Sequence, residues 1–308
     1  MLLSVALATH NGGRFLTEQL DSIYAQNDID TLEVVASDDA STDDTLRILE
    51  RYTSRGLRYT RNNPPLRTVK NFEKALTLCS GQYLALADQD DYWFPHKLSH
   101  SLKKLRTLEN HYGAHTPLLV FTDLKVVDEQ LKPIHASYRE WMGFTHTEPE
   151  FSRLLVENIG TGCTFVFNRA LLELALPFPA EGLLHDRWLL WVAACFGRAE
   201  YLNEVTIAYR QHGGNQVGAR QLTLLQEITY TGKVAVQKNR LLANHYPRVR
   251  LFLNRYQDQL NHYPTQLNII HEFLKLEHDS FFQRITRILR NGFWGQSFWG
   301  NVRIVLKG

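Results

Sequence analysis

The first two thirds of the chain alternate short apolar runs with segments whose apolar residues recur at helical spacing, the pattern of a parallel sheet covered by helices. Residues 2–8 read as the first strand. After the turn residues Asn11-Gly12-Gly13, Leu16, Leu20, Ile23 and Tyr24 fall at i, i+4, i+7 and i+8 and share one helix face. Residues 33–37 form the second strand. Ser41-Thr42-Asp43-Asp44 supplies capping hydroxyls and early acids to a helix carrying Leu46, Ile48 and Leu49, and Gly56 stops it. Residues 57–60 give a third strand, 69–78 a helix and 82–87 a strand that delivers Asp88-Gln89-Asp90-Asp91 at its carboxyl end. Pro95 opens a helix with Leu98, Leu102 and Leu105. Residues 118–122 and 163–168 add strands to a sheet expected to become mixed, 185–196 a mostly apolar helix, and 206–209 a strand before the loop His212-Gly213-Gly214-Asn215. From about Gln221 to Arg290 the spacing stays helical, broken by Pro247 and Pro264. The expected organisation is therefore an α/β domain over 1–218 and a helical region over 219–308, with the boundary near 216–222.

Composition narrows the class. With 308 residues, 44% hydrophobic and 21% charged, the chain has apolar content for a large core and excludes a disordered, collagenous or disulfide-scaffold protein. Its 34 Lys+Arg against 32 Asp+Glu leave +2, which argues against nucleic acid as a partner. The three cysteines, Cys79, Cys163 and Cys195, sit in apolar stretches without a Cys-x-x-Cys pair, pointing to a reducing, cytoplasmic compartment. The apolar start lacks a basic leader and is too short to span a bilayer. Residues 280–308 carry Arg284, Arg287, Arg290, Arg303 and Lys307 with no acid, together with Phe281, Phe282, Phe293, Trp294, Phe298 and Trp299. Basic and aromatic together suit an inner-leaflet membrane surface, while a homodimer contact or packing on the body would use the same residues.

The chemistry lies in acids at strand and helix ends: Asp38-Asp39, Asp88 to Asp91, and His185-Asp186. Carboxylates converging over one crevice repel unless a cation offsets them. Clustered Asp without Cys ligands matches a hard ion, Mg²⁺ or Mn²⁺, completed by phosphate, so a metal-bridged diphosphate is the leading ligand. The 88–91 run lies between Tyr83-Leu84-Ala85-Leu86-Ala87 and Tyr92-Trp93-Phe94-Pro95, which makes it an acid knot between apolar segments rather than a solvated turn. His96-Lys97-Leu98-Ser99-His100 has the His spacing of a zinc-protease helix but lacks its Glu, so zinc hydrolysis is rejected. Gly160-Thr161-Gly162-Cys163-Thr164 is neither a P-loop nor a dinucleotide fingerprint.

Taken together, Ala8-Thr9-His10-Asn11-Gly12, Ser37-Asp38-Asp39-Ala40-Ser41-Thr42-Asp43-Asp44-Thr45, Ala87-Asp88-Gln89-Asp90-Asp91-Tyr92-Trp93, His185-Asp186-Arg187-Trp188 and Tyr209-Arg210-Gln211-His212 resemble a family 2 glycosyltransferase of the A-type fold, in its bacterial rhamnosyltransferase-like branch. The resemblance covers about residues 1–218. It implies a Rossmann-like, mostly parallel mixed sheet flanked by helices, with a C-terminal helical appendage. It also implies an inverting, metal-dependent transfer from a UDP- or dTDP-sugar, dTDP-rhamnose among the candidates, to a glycan or lipid-linked acceptor in bacterial surface polysaccharide synthesis. On the matching positions, Thr9, Asn11, Asp39, Lys70 and Asp88 would hold the nucleotide, Asp90 and His212 the Mg²⁺ or Mn²⁺, and Asp186 would be the catalytic base. Arg210, Asp91, Thr161, Gly162 and Trp188 would lie toward the diphosphate or acceptor. The family's usual Glu-Asp pair is His185-Asp186 here, which favours Asp186. Two other readings remain: a non-catalytic nucleotide-sugar or glycan-binding module, and a sugar-phosphate nucleotidyltransferase, whose early triphosphate loop Asn11-Gly12-Gly13-Arg14 matches only in part.

Overall fold

A computed structural model describes residues 2–179, 182–213, 242–296 and 298–307. These fall into two compact units. The described residues of Met1–Arg139, Gly160–Ala193 and Gly197–Gly218 form the first, and those of Glu140–Ile159, Ala194–Phe196 and Ala219–Gly308 the second.

The first unit is a mixed sheet between helices. Its strands are β1 (Leu2–Thr9), β2 (Thr31–Asp38), β3 (Arg58–Arg61), β4 (Tyr83–Ala87), β5 (Tyr92–Trp93), β6 (Leu118–Val127), β7 (Pro133–His135), β8 (Val166–Asn168) and β9 (Arg198–Arg210), in the spatial order β3-β2-β1-β4-β8-β6-β9-β5, with β7 on β6. The first four are parallel. β8 then runs antiparallel to β4 and β6, β9 pairs parallel to β6, and β5 antiparallel to β9, which is the mixing expected. β1 and β4 are buried through nearly their whole length, as parallel strands covered on both faces must be. The helices α1 (Leu16–Tyr24), α2 (Thr45–Tyr52), α3 (Arg67–Leu78) and α4 (Lys97–Tyr112) turn their apolar stripes inward, and Leu16, Leu20, Leu49, Leu76, Leu98 and Leu105 are all fully buried.

Further along come α5 (Tyr138–Trp141), α6 (Phe151–Leu154), α7 (Arg169–Ala175) and α8 (His185–Phe196). β9 begins eight residues before the expected strand at 206, because residues 198–202 pair along β6 although Arg198 and Glu200 interrupt their apolar positions.

The second unit comprises α6 and α9 (His245–Arg255), α10 (Gln257–Leu260), α11 (Pro264–Lys275), α12 (Phe281–Asn291) and α13 (Phe298–Lys307). The continuous 1–218 block expected from the sequence is interrupted here. Residues 140–159 and the end of α8 join the helical unit because Phe252 packs on both Phe151 and Phe196, at 5.9 and 6.0 Å between ring centres. The Glu157 carboxylate also accepts from Gln296 N at 2.6 Å. Helical character at 221–241, the loop residues Gly214 and Asn215, and the side chains of Phe298, Trp299, Arg303 and Lys307 lie outside the described residues.

In the tail, Phe293 is buried, Arg284 is turned inward, and Arg287 is held by Glu272 and Asp279. Those three no longer count as a free basic or aromatic surface. Phe281, Phe282 and Leu289 do remain exposed, Phe282 at 79%. No described helix is long and apolar enough to cross a membrane.

Candidate active site

The carboxyl ends of β1, β2 and β4 meet where the strand order reverses, between β1 and β4, the crevice in which open α/β sheets bind ligands. β1 ends in Thr9, whose hydroxyl donates to Asp38 Oδ1 at 3.0 Å. The Asp38 carboxylate also accepts from the Ser41 amide at 2.9 Å and hydroxyl at 2.5 Å, folding the chain after β2 into a tight turn. Asn11, at φ +50°, reaches that turn from the β1 side: its amide donates to Ser41 Oγ, and its Oδ1 accepts from Thr42 N, both at 2.9 Å. Asp39 is buried and accepts from Leu66 N at 2.6 Å, Arg67 N at 2.8 Å and Asn62 Nδ2 at 3.2 Å. A carboxylate has about four acceptor positions, so one direction remains for a ligand N–H. Thr9, Asn11 and Asp39 are thus brought together, already laced to each other's loops.

β4 delivers the acid run beside them. Gln89 turns back and clamps His10 by both ends of its amide, accepting from His10 N at 2.8 Å and donating to His10 O at 3.0 Å. Asp90 Oδ2 lies 2.8 Å from His212 Nε2, so the acid loop meets the residue just beyond β9. Burial, then the charges of Asp90 and Asp186, push the Asp88 carboxyl well above its usual range. Asp88, Asp90, His212 and Asp186 therefore belong to one electrostatic site although 124 residues separate the first from the last. Asp186 stands in the first turn of α8, where Arg187 N donates to its Oδ1 at 2.6 Å and the helix N-terminus favours negative charge. Gly162 allows the close approach of this turn: a Cβ there would meet His185 Nε2 at 3.1 Å and Asp186 Cβ at 3.3 Å. Thr161 precedes it, half-buried, with its carbonyl accepting from Thr164.

The donor set fits a divalent cation. Mutually repelling carboxylates with an imidazole beside them are relieved by a hard ion that takes oxygen ligands and tolerates one nitrogen. A second acidic cluster, Asp88, Asp91 and Cys163, suits one less well. Burial pushes both the Asp91 carboxyl and the Cys163 thiol well upward, which disfavours the anionic forms that would ligate a hard ion.

Several expected roles change. Asp91 is fully buried and accepts from Arg210 N at 3.2 Å, so it shapes the loop and does not reach a diphosphate. Arg210 is 1% exposed and turned inward: its guanidinium donates to the carbonyls of Asp90 and Glu129 and to the Glu18 carboxylate, and it stacks 4.5 Å over Phe15. It braces the acid loop instead of meeting phosphate. Trp188 is completely buried with its indole N–H on Ala175 O at 2.9 Å, which leaves no face for a sugar. Lys70, part-exposed, holds its ammonium between Glu73 and Phe178 O, both at 2.8 Å. His185 stacks on Phe72 at 4.1 Å, and burial lowers its pKa to about 3, so it is a neutral core ring and not a base.

Sequence reasoning did not single out Gln89, Asn62 or Glu18. Gln89 was visible only as the residue between two acids. Asn62, just past β3, donates to Ser37, Asp39 and Asn71.

The profile of glycosyl transferase family 2 matches residues 4–174. A dTDP-rhamnosyl transferase, RfbG of Shigella flexneri, is 30% identical over 232 residues, spanning 69% of this chain and 74% of its own. Two solved structures share the fold. S. aureus TarS (residues 1–349) with UDP-GlcNAc has a TM-score of 0.57 at 19% identity, covering 99% of this chain and 90% of that one. The mannosyltransferase PcManGT of Pyrobaculum calidifontis with GDP-Man and Mn²⁺ has a TM-score of 0.54 at 17% identity, covering 99% and 84%.

Proposed function

Because the chain belongs to glycosyl transferase family 2, a family of enzymes that draw on nucleotide-sugar donors, we propose that it transfers a sugar with inversion in a single displacement from a UDP- or dTDP-sugar to a glycan or lipid-linked saccharide. The likeness to a dTDP-rhamnosyl transferase supports dTDP-rhamnose as the first donor to test. The observation that carries this reading is the convergence of Asp88, Asp90, His212 and Asp186 at the carboxyl end of the parallel strands.

On this reading Thr9, Asn11 and Asp39 bound the base and Asp88 the ribose. Asp90 and His212 would hold Mg²⁺ or Mn²⁺, which when bound neutralises charge on the departing diphosphate. Asp186 takes the proton of the acceptor hydroxyl as that oxygen attacks the anomeric carbon, and the hydrogen bond from Arg187 N fixes the carboxylate for this. Thr161 and Gly162 lie on the acceptor side, and Gly162 keeps the approach to Asp186 open. We place the enzyme on the cytoplasmic face of the membrane, with Phe281, Phe282 and Leu289 toward lipid. A homodimer through the same residues is the competing arrangement.

Calorimetric titration with UDP-sugars, dTDP-rhamnose and GDP-mannose, with Mg²⁺ or Mn²⁺ and then with chelator, tests the assignment. Asp90→Ala is expected to abolish metal-dependent donor binding, whereas Asp186→Asn keeps binding and loses transfer by about 10²–10⁴-fold. Equal loss of donor binding in both variants would overturn the two roles.

A further inference from the structure

Between the start of α4 and β9, a second set of metal-ligating side chains comes together. His96 and His100 are separated by one helical turn at the start of α4, with His100 N donating to His96 O at 3.0 Å and the two rings 4.9 Å apart. In sequence they have the spacing of a helical zinc pair without its glutamate. The fold brings a carboxylate from elsewhere: Glu204 of β9, whose Oε2 lies 2.5 Å from His100 Nδ1. One ligand atom from each of His96, His100 and Glu204 falls within 4.8 Å of the others.

The neighbouring turn shows what an ordinary pairing on this surface looks like. His96, His100 and Lys104 lie along one face of α4, and Glu204 and Glu200 lie along β9 opposite. Lys104 answers Glu200 with a 2.6 Å ion pair. One turn earlier the partner of Glu204 is the imidazole of His100, with the ring of His96 beside it. Two imidazole nitrogens and a carboxylate oxygen, partly open to water, make a three-ligand set with room for a fourth, the composition of a His₂Glu zinc site. We propose that His96, His100 and Glu204 form a second metal site that takes Zn²⁺ or a similar borderline divalent ion, with water as the fourth ligand. To admit the ion, the His100–Glu204 contact opens to about 3.3 Å, the edge of a tetrahedron with bonds of about 2.0–2.1 Å. The site would cross-link α4 to β9 and is chemically separate from the oxygen-rich site at Asp90, which prefers Mg²⁺ or Mn²⁺.

The test uses untagged full-length protein stripped with chelator and then saturated with Mg²⁺. Titration with ZnCl₂ is followed by calorimetry, and with CoCl₂ by visible absorption. The expected result is one Zn²⁺ per chain and a four-coordinate cobalt spectrum, with affinity at least tenfold weaker in His100→Gln and in Glu204→Gln and unchanged in Asp90→Ala. Circular dichroism of the variants confirms that the fold is kept. Zinc binding that survives both substitutions, or that disappears in Asp90→Ala, would overturn the proposal. Failure of nucleotide-sugar binding would leave it standing, since it does not depend on the transferase reading.

Discussion

Gln89 occupies the space that any side chain at Gly12 would need: a Cβ built on Gly12 lies 2.2 Å from Gln89 Oε1. The glycine is there so that the acid loop after β4 can grip the loop after β1 through His10. Gly12→Ala is therefore expected to release the clamp, weakening donor binding about tenfold and costing about 1–3 kcal/mol of stability through overpacking. Calorimetry and urea titration measure the two effects. Since both act through one contact, Gly12→Ala combined with Gln89→Ala should cost less than the sum of the single changes.

Arg210 gives a second prediction. Its guanidinium is buried and satisfies the carbonyls of Asp90 and Glu129, so Arg210→Met strands buried acceptors behind the acid loop. A loss of about 3 kcal/mol is expected by urea denaturation. If Arg210 met the diphosphate instead, stability would hold and only donor affinity would fall.

His185 makes stability depend on pH. Burial lowers its pKa to about 3, below the roughly 6.5 of an unfolded chain, so between these values the unfolded state binds more protons. Its stabilising effect is complete above about pH 6.5 and falls as pH drops toward 3. The full range amounts to a few kcal/mol on the order of magnitude. His185→Asn should be less stable at pH 7.5, having lost the stacking on Phe72, yet show a shallower decline to pH 5. Denaturation curves at the two pH values compare the slopes.

The exposed apolar side of α12 supplies a fourth. Full-length protein is expected to float with liposomes containing anionic lipid, and Phe282→Ser with Leu289→Ser to remain in the unbound fraction. If the pair instead shifts sedimentation from dimer to monomer without touching liposome binding, the face belongs to a second copy.

Most elements of the first unit are legible in the sequence because buried parallel strands and amphipathic helices write different periods. β1, β2 and β4 are examples. The start of β9 is not legible, since Arg198 and Glu200 carry no strand signal and pairing with β6 decides their conformation. The acids were legible as strand-end carboxylates. Asp90 and Asp91 differ in expected role only through the family resemblance; the burial that separates them comes from the packing of β5 and β9, which buries Asp91 and leaves Asp90 facing His212. Trp188 was not legible as a buried residue, because the packing that covers its ring is set by the fold and not by the motif around it.

The bond from Arg210 to Glu18 joins residues 192 positions apart. During synthesis, the chain through residue 174 contains the strands that carry Thr9, Asp39 and Asp88, but neither Asp186 nor the brace. A nascent chain can therefore assemble the nucleotide side while its acid loop still lacks its support, and contacts of such long range close late. On the proposed reading the acid site is complete only once β9 brings Arg210 and His212 to it, so it is expected to be the last region to gain protection from hydrogen exchange on refolding and among the first to lose it when β9 loosens.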